Sequence, residues 1–259
     1  MTSDKLGDWR IESVSQLAQN YGSASAGSPI WLLSLAKHRK HGYLSFITPS
    51  AAALCLNIAI EAAKRSEAIK PSLSFCPMVT PDGKKGMQVT HDSVGNLYQF
   101  FEQSMTSVIM SFQAIEVFAN SIIGRKAPNN ILIKRKRGDK NVTPGEAERE
   151  LSTEEKLGQV LPKILAVSSP RGNRAWQAFK MLKQARDATV HLKSHDVYTR
   201  NNIDRESLFF YYLNYDARQS PVAAIKVMSH FYPKVLPRWL SHAKDLVDHD
   251  FRSRGPTAF

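Results

Sequence analysis

The residues best suited to chemistry lie in the segment Lys183-Gln184-Ala185-Arg186-Asp187-Ala188-Thr189-Val190-His191-Leu192. Read as helix, it places Arg186 seven residues after Phe179 and four after Leu182, on the side that this helix uses for packing. A guanidinium taken out of water without a partner costs several kcal/mol. Arg186 must therefore meet an acid, a phosphate, or water in a cleft. His191 follows five residues later, roughly 140° around an ideal helix. A straight helix does not bring the two side chains to one point. They converge if the helix distorts or if two copies pair across a symmetry axis. Taken alone, His191 reads more readily as a surface histidine near a helix end, where the dipole favours it.

An upstream helix offers an acid. Glu116 lies four residues from Phe112 and three from Ala119, at the edge of an apolar stripe, and Asn120 follows one turn on. If the two helices pack antiparallel, Glu116 can pair with Arg186. Such a pair is as readily structural as functional, since breaking a buried pair costs about 3–5 kcal/mol.

The run Arg186-Asp187-Ala188-Thr189-Val190-His191 resembles the R-x4-6-H motif of the HEPN superfamily, with four intervening residues and a polar residue directly after the arginine. Phe112-Gln113-Ala114-Ile115-Glu116-Val117-Phe118-Ala119-Asn120 is similar to the first core helix of many such domains, where a Glu and a following Asn recur. The helix start at Glu155-Lys156-Leu157, a turn, and the Trp176 helix leading into the motif follow the same order. The resemblance covers about residues 92–250 and does not extend to 1–90. Asp187 departs from the pattern, standing where Asn or His is frequent. Its charge either dampens phosphate approach or orients His191, one turn away.

The resemblance implies a metal-independent endoribonuclease, with Arg186 and His191 catalytic and Asp187, Glu116 and Asn120 supporting or orienting them. The RNA 2′-hydroxyl would attack the adjacent phosphorus. His191 would move protons, histidine being the side chain that titrates near working pH. Arg186 would stabilise the charge developing on the phosphoryl oxygens. The partners implied are RNA, a second copy of the chain, and an antitoxin or sensor protein, in antiviral defence or a toxin system. No metal or cofactor is expected. The alternative is a non-catalytic module that binds RNA or protein.

These residues need helices to position them. Ala51–Ile69, the stretch from Asp92 to about Ile123, the run from Ser152 to Ile164, and the segment from Asn173 to at least Leu192 carry helical spacing. Ser152 and Glu155 have capping-box spacing, and Gly124 reads as a helix stop. Further helices are expected near Ile11–Tyr21, Ile30–Lys40, Pro221–Phe231 and Pro237–Asp248. Residues 71–90 read as an irregular hairpin or an extended linker, and residues 125–151 as a loop or small hairpin. The expected fold is all-α: a HEPN-like helical bundle over 91–250, a helical extension of unknown role over 1–90, a small irregular or β-hairpin insertion, and a tail over 251–259.

Charge and composition narrow the partners. The 259 residues carry a formal net charge of +12, which draws a protein to polyanions. The basic run Lys134, Arg135, Lys136 and Arg137 is a candidate nucleic-acid contact, although such a run is also an ordinary solvated loop. The cluster Lys37-His38-Arg39-Lys40-His41 reads the same way. Two cysteines, Cys55 and Cys76, without ligand spacing, argue against a zinc site or a disulfide scaffold. The N-terminus lacks the apolar core of a signal peptide. The greasy stretch Ser107–Ile123 is interrupted by Gln113, Glu116 and Asn120. A cytoplasmic protein without membrane contact is the expectation.

Overall fold

The computed structural model describes residues 7–80, 83–135, 138–191 and 207–252. Among the described residues, four two-stranded antiparallel sheets accompany the helices. The architecture is therefore mixed α/β, which corrects the expectation of an all-α, HEPN-like bundle. The correction is largest before residue 90. Strands β1 (Val14–Gln16) and β2 (Pro29–Trp31) pair, β1 inside the helix expected near Ile11–Tyr21 and β2 at the start of the one expected at Ile30–Lys40. Strands β3 (Leu33–His38) and β4 (Gly42–Ile47) form a hairpin in place of a helix over Ile30–Lys40. Arg39, Lys40 and His41 make its loop, and Gly42 follows at φ +72°. That left-handed backbone closes a three-residue hairpin loop and is open to glycine at little cost.

Strands β5 (Phe75–Val79) and β6 (Lys85–Val89) form the hairpin that the 71–90 region permits. Strands β7 (Ile131–Ile133) and β8 (Lys140–Val142) make another within 125–151. Ile131, Ile133 and Val142 are buried, so this small sheet is held by its apolar face.

The helices are α1 (Ala51–Ile69), α2 (Val94–Lys126), α3 (Pro144–Glu150), α4 (Thr153–Glu155), α5 (Leu161–Leu165), α6 (Arg174–Val190), α7 (Leu208–Asn214), α8 (Gln219–Ser229) and α9 (Arg238–Arg252). A π-helical turn, Lys156–Val160, joins α4 to α5. Helix α2 runs through Gly124 instead of stopping there. A Cβ at Gly124 would lie 2.8 Å from Oε1 of Glu148, so this glycine admits a carboxylate against the helix. The Ser152–Glu155 capping box is present, and Thr143 with Glu146 forms a second one at the start of α3. Asn173 caps α6 by accepting from the N–H groups of Ala175 and Trp176.

The chain forms two compact units, each from discontinuous pieces. The first comprises Met1–Cys55, Ala114–Ser169 and Met228–Leu246; the second comprises Leu56–Gln113, Pro170–Val227 and Val247–Phe259. The 1–90 stretch is thus divided between them. In the first unit, Phe118 packs on Phe231 and Tyr232, and Ile122, Leu157, Val160, Leu161 and Leu240 are also buried. In the second, Phe112 stacks on Phe179, and Leu56, Ile60, Phe100, Val108 and Leu182 complete a buried set. Each such side chain contributes roughly 1.5–3 kcal/mol through burial. The His91–Lys126 segment is long and apolar enough to cross a bilayer, but 56% of its most apolar window is buried inside the protein, as in a core helix.

Candidate functional site

Helix α6 buries Ala175, Phe179, Leu182, Ala185 and Thr189. Arg186 flanks that stripe, as its spacing requires. Its guanidinium carbon lies 4.1 Å from the centre of the Phe112 ring, in cation–π range. Nη1 is 3.1 Å from Oδ1 of Asp187. Nε is buried and has no hydrogen-bond partner. The side chain as a whole keeps 26% exposure, so part of the fork faces solvent.

Asp187 is engaged on both carboxylate oxygens. Lys183 Nζ sits 2.7 Å from Oδ2, one turn back along α6. The carboxylate therefore screens Arg186 and Lys183 instead of orienting the His191 ring. It is the Asp187 backbone carbonyl that reaches His191, accepting its N–H at 3.0 Å.

His191 is the C-cap of α6, with φ −110° and ψ 63°. The helix ends at Val190, one turn or less short of the expected extent, and Leu192 lies outside the described residues. The ideal-helix angle between Arg186 and His191 thus does not apply at its far end. The imidazole is exposed and makes no hydrogen bond or ion pair with any described residue. Beneath this end of α6, Thr189 donates to the Ala185 carbonyl and shares a short hydrogen bond with the Tyr212 hydroxyl. Burial pushes the Tyr212 phenol up to about 12, against the Thr189 hydrogen bond that lowers it.

Glu116 and Asn120 belong to the first unit. The base that Glu116 meets is Lys156, at 3.9 Å, and the acid that Arg186 meets is Asp187. The expected Glu116–Arg186 pairing is thereby replaced. Lys156 is 1% exposed and donates to the Glu148 carbonyl at 2.8 Å. Burial lowers the Lys156 ammonium below the usual lysine range, outweighing the carboxylates of Glu116 and Glu148. It sits in the π-helical turn, a geometry frequent at special positions. The signal for it was present in the sequence. Lys156, Val160 and Ile164 fall at four-residue spacing, which puts the lysine on the apolar stripe.

Asn120 Oδ1 is buried without a partner and lines a cavity of about 760 Å³ in the first unit, with Glu148, Arg125, Tyr232 and Trp239. Cavities of about 580 and 350 Å³ lie in the second unit and share Arg218, which Asp216 clamps through paired hydrogen bonds. Arg186 and His191 line none of these three cavities.

Of the basic run, Lys134 and Arg135 are described, and Lys136 and Arg137 lie outside the described residues. Arg135 pairs with Glu155 at 2.8 Å, and the Lys134 backbone exchanges hydrogen bonds with the Gln159 side chain. Arg135 is therefore partly committed to holding the β7–β8 loop on the capping box. Burial raises the Glu155 carboxyl, but hydrogen bonds from Ser152 and Arg135 outweigh it and keep the group below the usual range.

Compared with protein-family models, curated proteins and solved structures, the chain matches none of them.

Proposed function

We propose that this chain is a metal-independent endoribonuclease that works through Arg186 and His191, as the HEPN motif resemblance implies. The observation that carries the reading is the state of Arg186. Its guanidinium carbon lies 4.1 Å from the centre of the Phe112 ring, its Nε is buried without a hydrogen-bond partner, and among the described residues Asp187 is the carboxylate that opposes it. An arginine held so can take a phosphate oxygen in a charge-assisted hydrogen bond. The exposed His191 imidazole stands just past the helix end, open to an approaching substrate.

In the proposed step the 2′-oxygen bonds to phosphorus and the bond from phosphorus to the 5′-oxygen breaks. His191 of one copy takes the 2′-hydroxyl proton, His191 of the other gives one to the leaving 5′-oxygen, and Arg186 stabilises the phosphoryl charge. A second copy of the chain is proposed to complete the cleft, bringing two motifs face to face. An antitoxin or sensor protein would hold such an activity in check.

A second reading is a binding module that does not cut. It is favoured by the position of Arg186 and His191 away from the three cavities. Incubation with structured RNA in EDTA separates the two. Cleavage by the native chain, lost in both Arg186→Ala and His191→Ala, is expected. Retention of RNA without cleavage at concentrations that saturate self-association supports the module.

A further inference from the structure

We propose that the β3–β4 hairpin is an arm that holds unpaired RNA. The proposal rests on RNA as the partner, and not on the cutting of that RNA. No Asp or Glu occurs between Glu12 and Glu61, while Lys37, Arg39 and Lys40 fall within four residues at the hairpin tip. These three cations make no ion pair with any described residue. Unopposed like charges at one tip select a polyanion.

The tip has a defined conformation. His38 Nδ1 accepts from the N–H groups of Lys40 and His41, each at 3.3 Å, and the two imidazole rings stack 5.0 Å apart. The base of the hairpin is anchored too. Thr48 donates its N–H to the Leu32 carbonyl, and the hydroxyls of Ser34 and Thr48 are 2.7 Å apart. Between base and tip every residue except the half-buried Ser34 is exposed.

Register sets what each face offers. Lys37 stands opposite Tyr43, with Leu35 and Leu33 continuing the same face; Phe46 and Leu44 lie on the other. Tyr43 is 71% exposed and Leu35 70%. Two strands alone are marginal in water, and uncovered apolar side chains on both faces imply an occupant. Cations beside open aromatic rings suit a strand whose phosphates meet Lys37, Arg39 and Lys40 while its bases stack on Tyr43. Duplex RNA hides its bases and has a major groove too narrow for this ribbon. A second copy's hairpin would bring the same three cations and no carboxylate to meet them. A membrane would be met first by the charged tip, with the leucines held back toward the base.

The test is anisotropy of a labelled 2′-O-methyl oligouridine, which lacks the attacking hydroxyl, titrated with the full chain over about 50–200 mM salt. Combined Lys37→Ala, Arg39→Ala and Lys40→Ala is expected to weaken binding about tenfold or more. It should also flatten the log–log salt slope by about 2, from three contacts of about 0.7 each on a single strand. Tyr43→Ala is expected to weaken binding about fivefold or more with the slope unchanged, as loss of one stack requires. Both changes are at exposed positions, and circular dichroism checks the fold. Binding and slope unchanged in both variants overturn the proposal. So does binding to anionic vesicles or self-association that the triple variant abolishes while RNA binding persists. A chain that binds through the hairpin but leaves ordinary RNA intact in EDTA overturns the cleavage reading alone. A chain that cuts RNA with the triple variant binding as tightly as the native chain overturns the arm alone.

Discussion

The guanidinium carbon of Arg186 rests 4.1 Å from the centre of the Phe112 ring, and the ring itself stacks on Phe179 of the same helix as Arg186. The aromatic pair is thus a platform built from core residues. The guanidinium lies in cation–π range of it, and Nε is left without a hydrogen bond. A partnerless buried donor costs about 1–3 kcal/mol, comparable to what a cation–π contact returns. Arg186→Met should therefore change stability by less than about 1 kcal/mol in urea titration, while RNA cleavage is lost. A loss of several kcal/mol would instead assign Arg186 to folding.

Lys156 and Glu116 should respond asymmetrically. Met replaces the buried lysine stem at similar volume and removes an ammonium that burial disfavours, so Lys156→Met is expected to fall within about 1 kcal/mol of the native chain. Glu116→Gln leaves that ammonium without its nearest carboxylate. A fully buried broken pair costs about 3–5 kcal/mol, and the solvent reaching Glu116 reduces the expectation to about 1–2 kcal/mol. Urea midpoints of the two variants check the order.

Gly124 and Glu148 are expected to be coupled. Alanine in a helix interior gains up to about 1 kcal/mol over glycine. Here the new Cβ would displace the Glu148 carboxylate. Gly124→Ala should thus stabilise the native chain less than it stabilises the Glu148→Ala variant. A double-mutant cycle reads the difference directly, and equal gains in both backgrounds would remove the contact from the account.

Alkaline pH should weaken the second unit. Burial raises Tyr211, Tyr212 and Tyr215 above the ordinary value of 10.0, Tyr212 to about 12. A raised folded-state value means that the stabilisation is full below the unfolded value near 10.0 and is lost as pH climbs towards about 12. Absorbance of ionised phenol should lag in the native state and jump on unfolding in that window. A smooth titration of all tyrosines near 10.0 would contradict the buried cluster.

The long helices were legible because their periodicity is unambiguous. Leu97, Phe101, Met105, Val108, Phe112, Ile115, Ala119 and Ile122 mark α2, and all are buried except the half-buried Leu97 and Met105. Short cap signals were legible as well, at Ser152–Glu155 and Asn173. The position of Arg186 beside the packing stripe follows from spacing alone. The hairpins before residue 50 were not legible. Ile30, Leu33 and Ala36 repeat at three residues while Leu33 and Leu35 alternate, so one segment fits both periods. The deciding feature is Gly42, whose left-handed backbone reverses the chain. The Glu116 partner was missed because Lys156 directly follows Glu154 and Glu155 in a charged helix start, which masks the four-residue spacing to Val160 and Ile164 that places it on the apolar stripe, where it is buried. Gly124 failed as a stop signal because its lack of a side chain answers to Glu148, and not to the helix end.

The most direct measurement is the chemistry of the ends left on RNA by the native chain in EDTA. A 2′,3′-cyclic phosphate on one fragment and a 5′-hydroxyl on the other are expected. No cut is expected at a site carrying a single 2′-deoxy sugar, and no product from His191→Ala. Fragments with 5′-phosphate ends, or cleavage that persists through the deoxy sugar, would contradict the proposed cleavage.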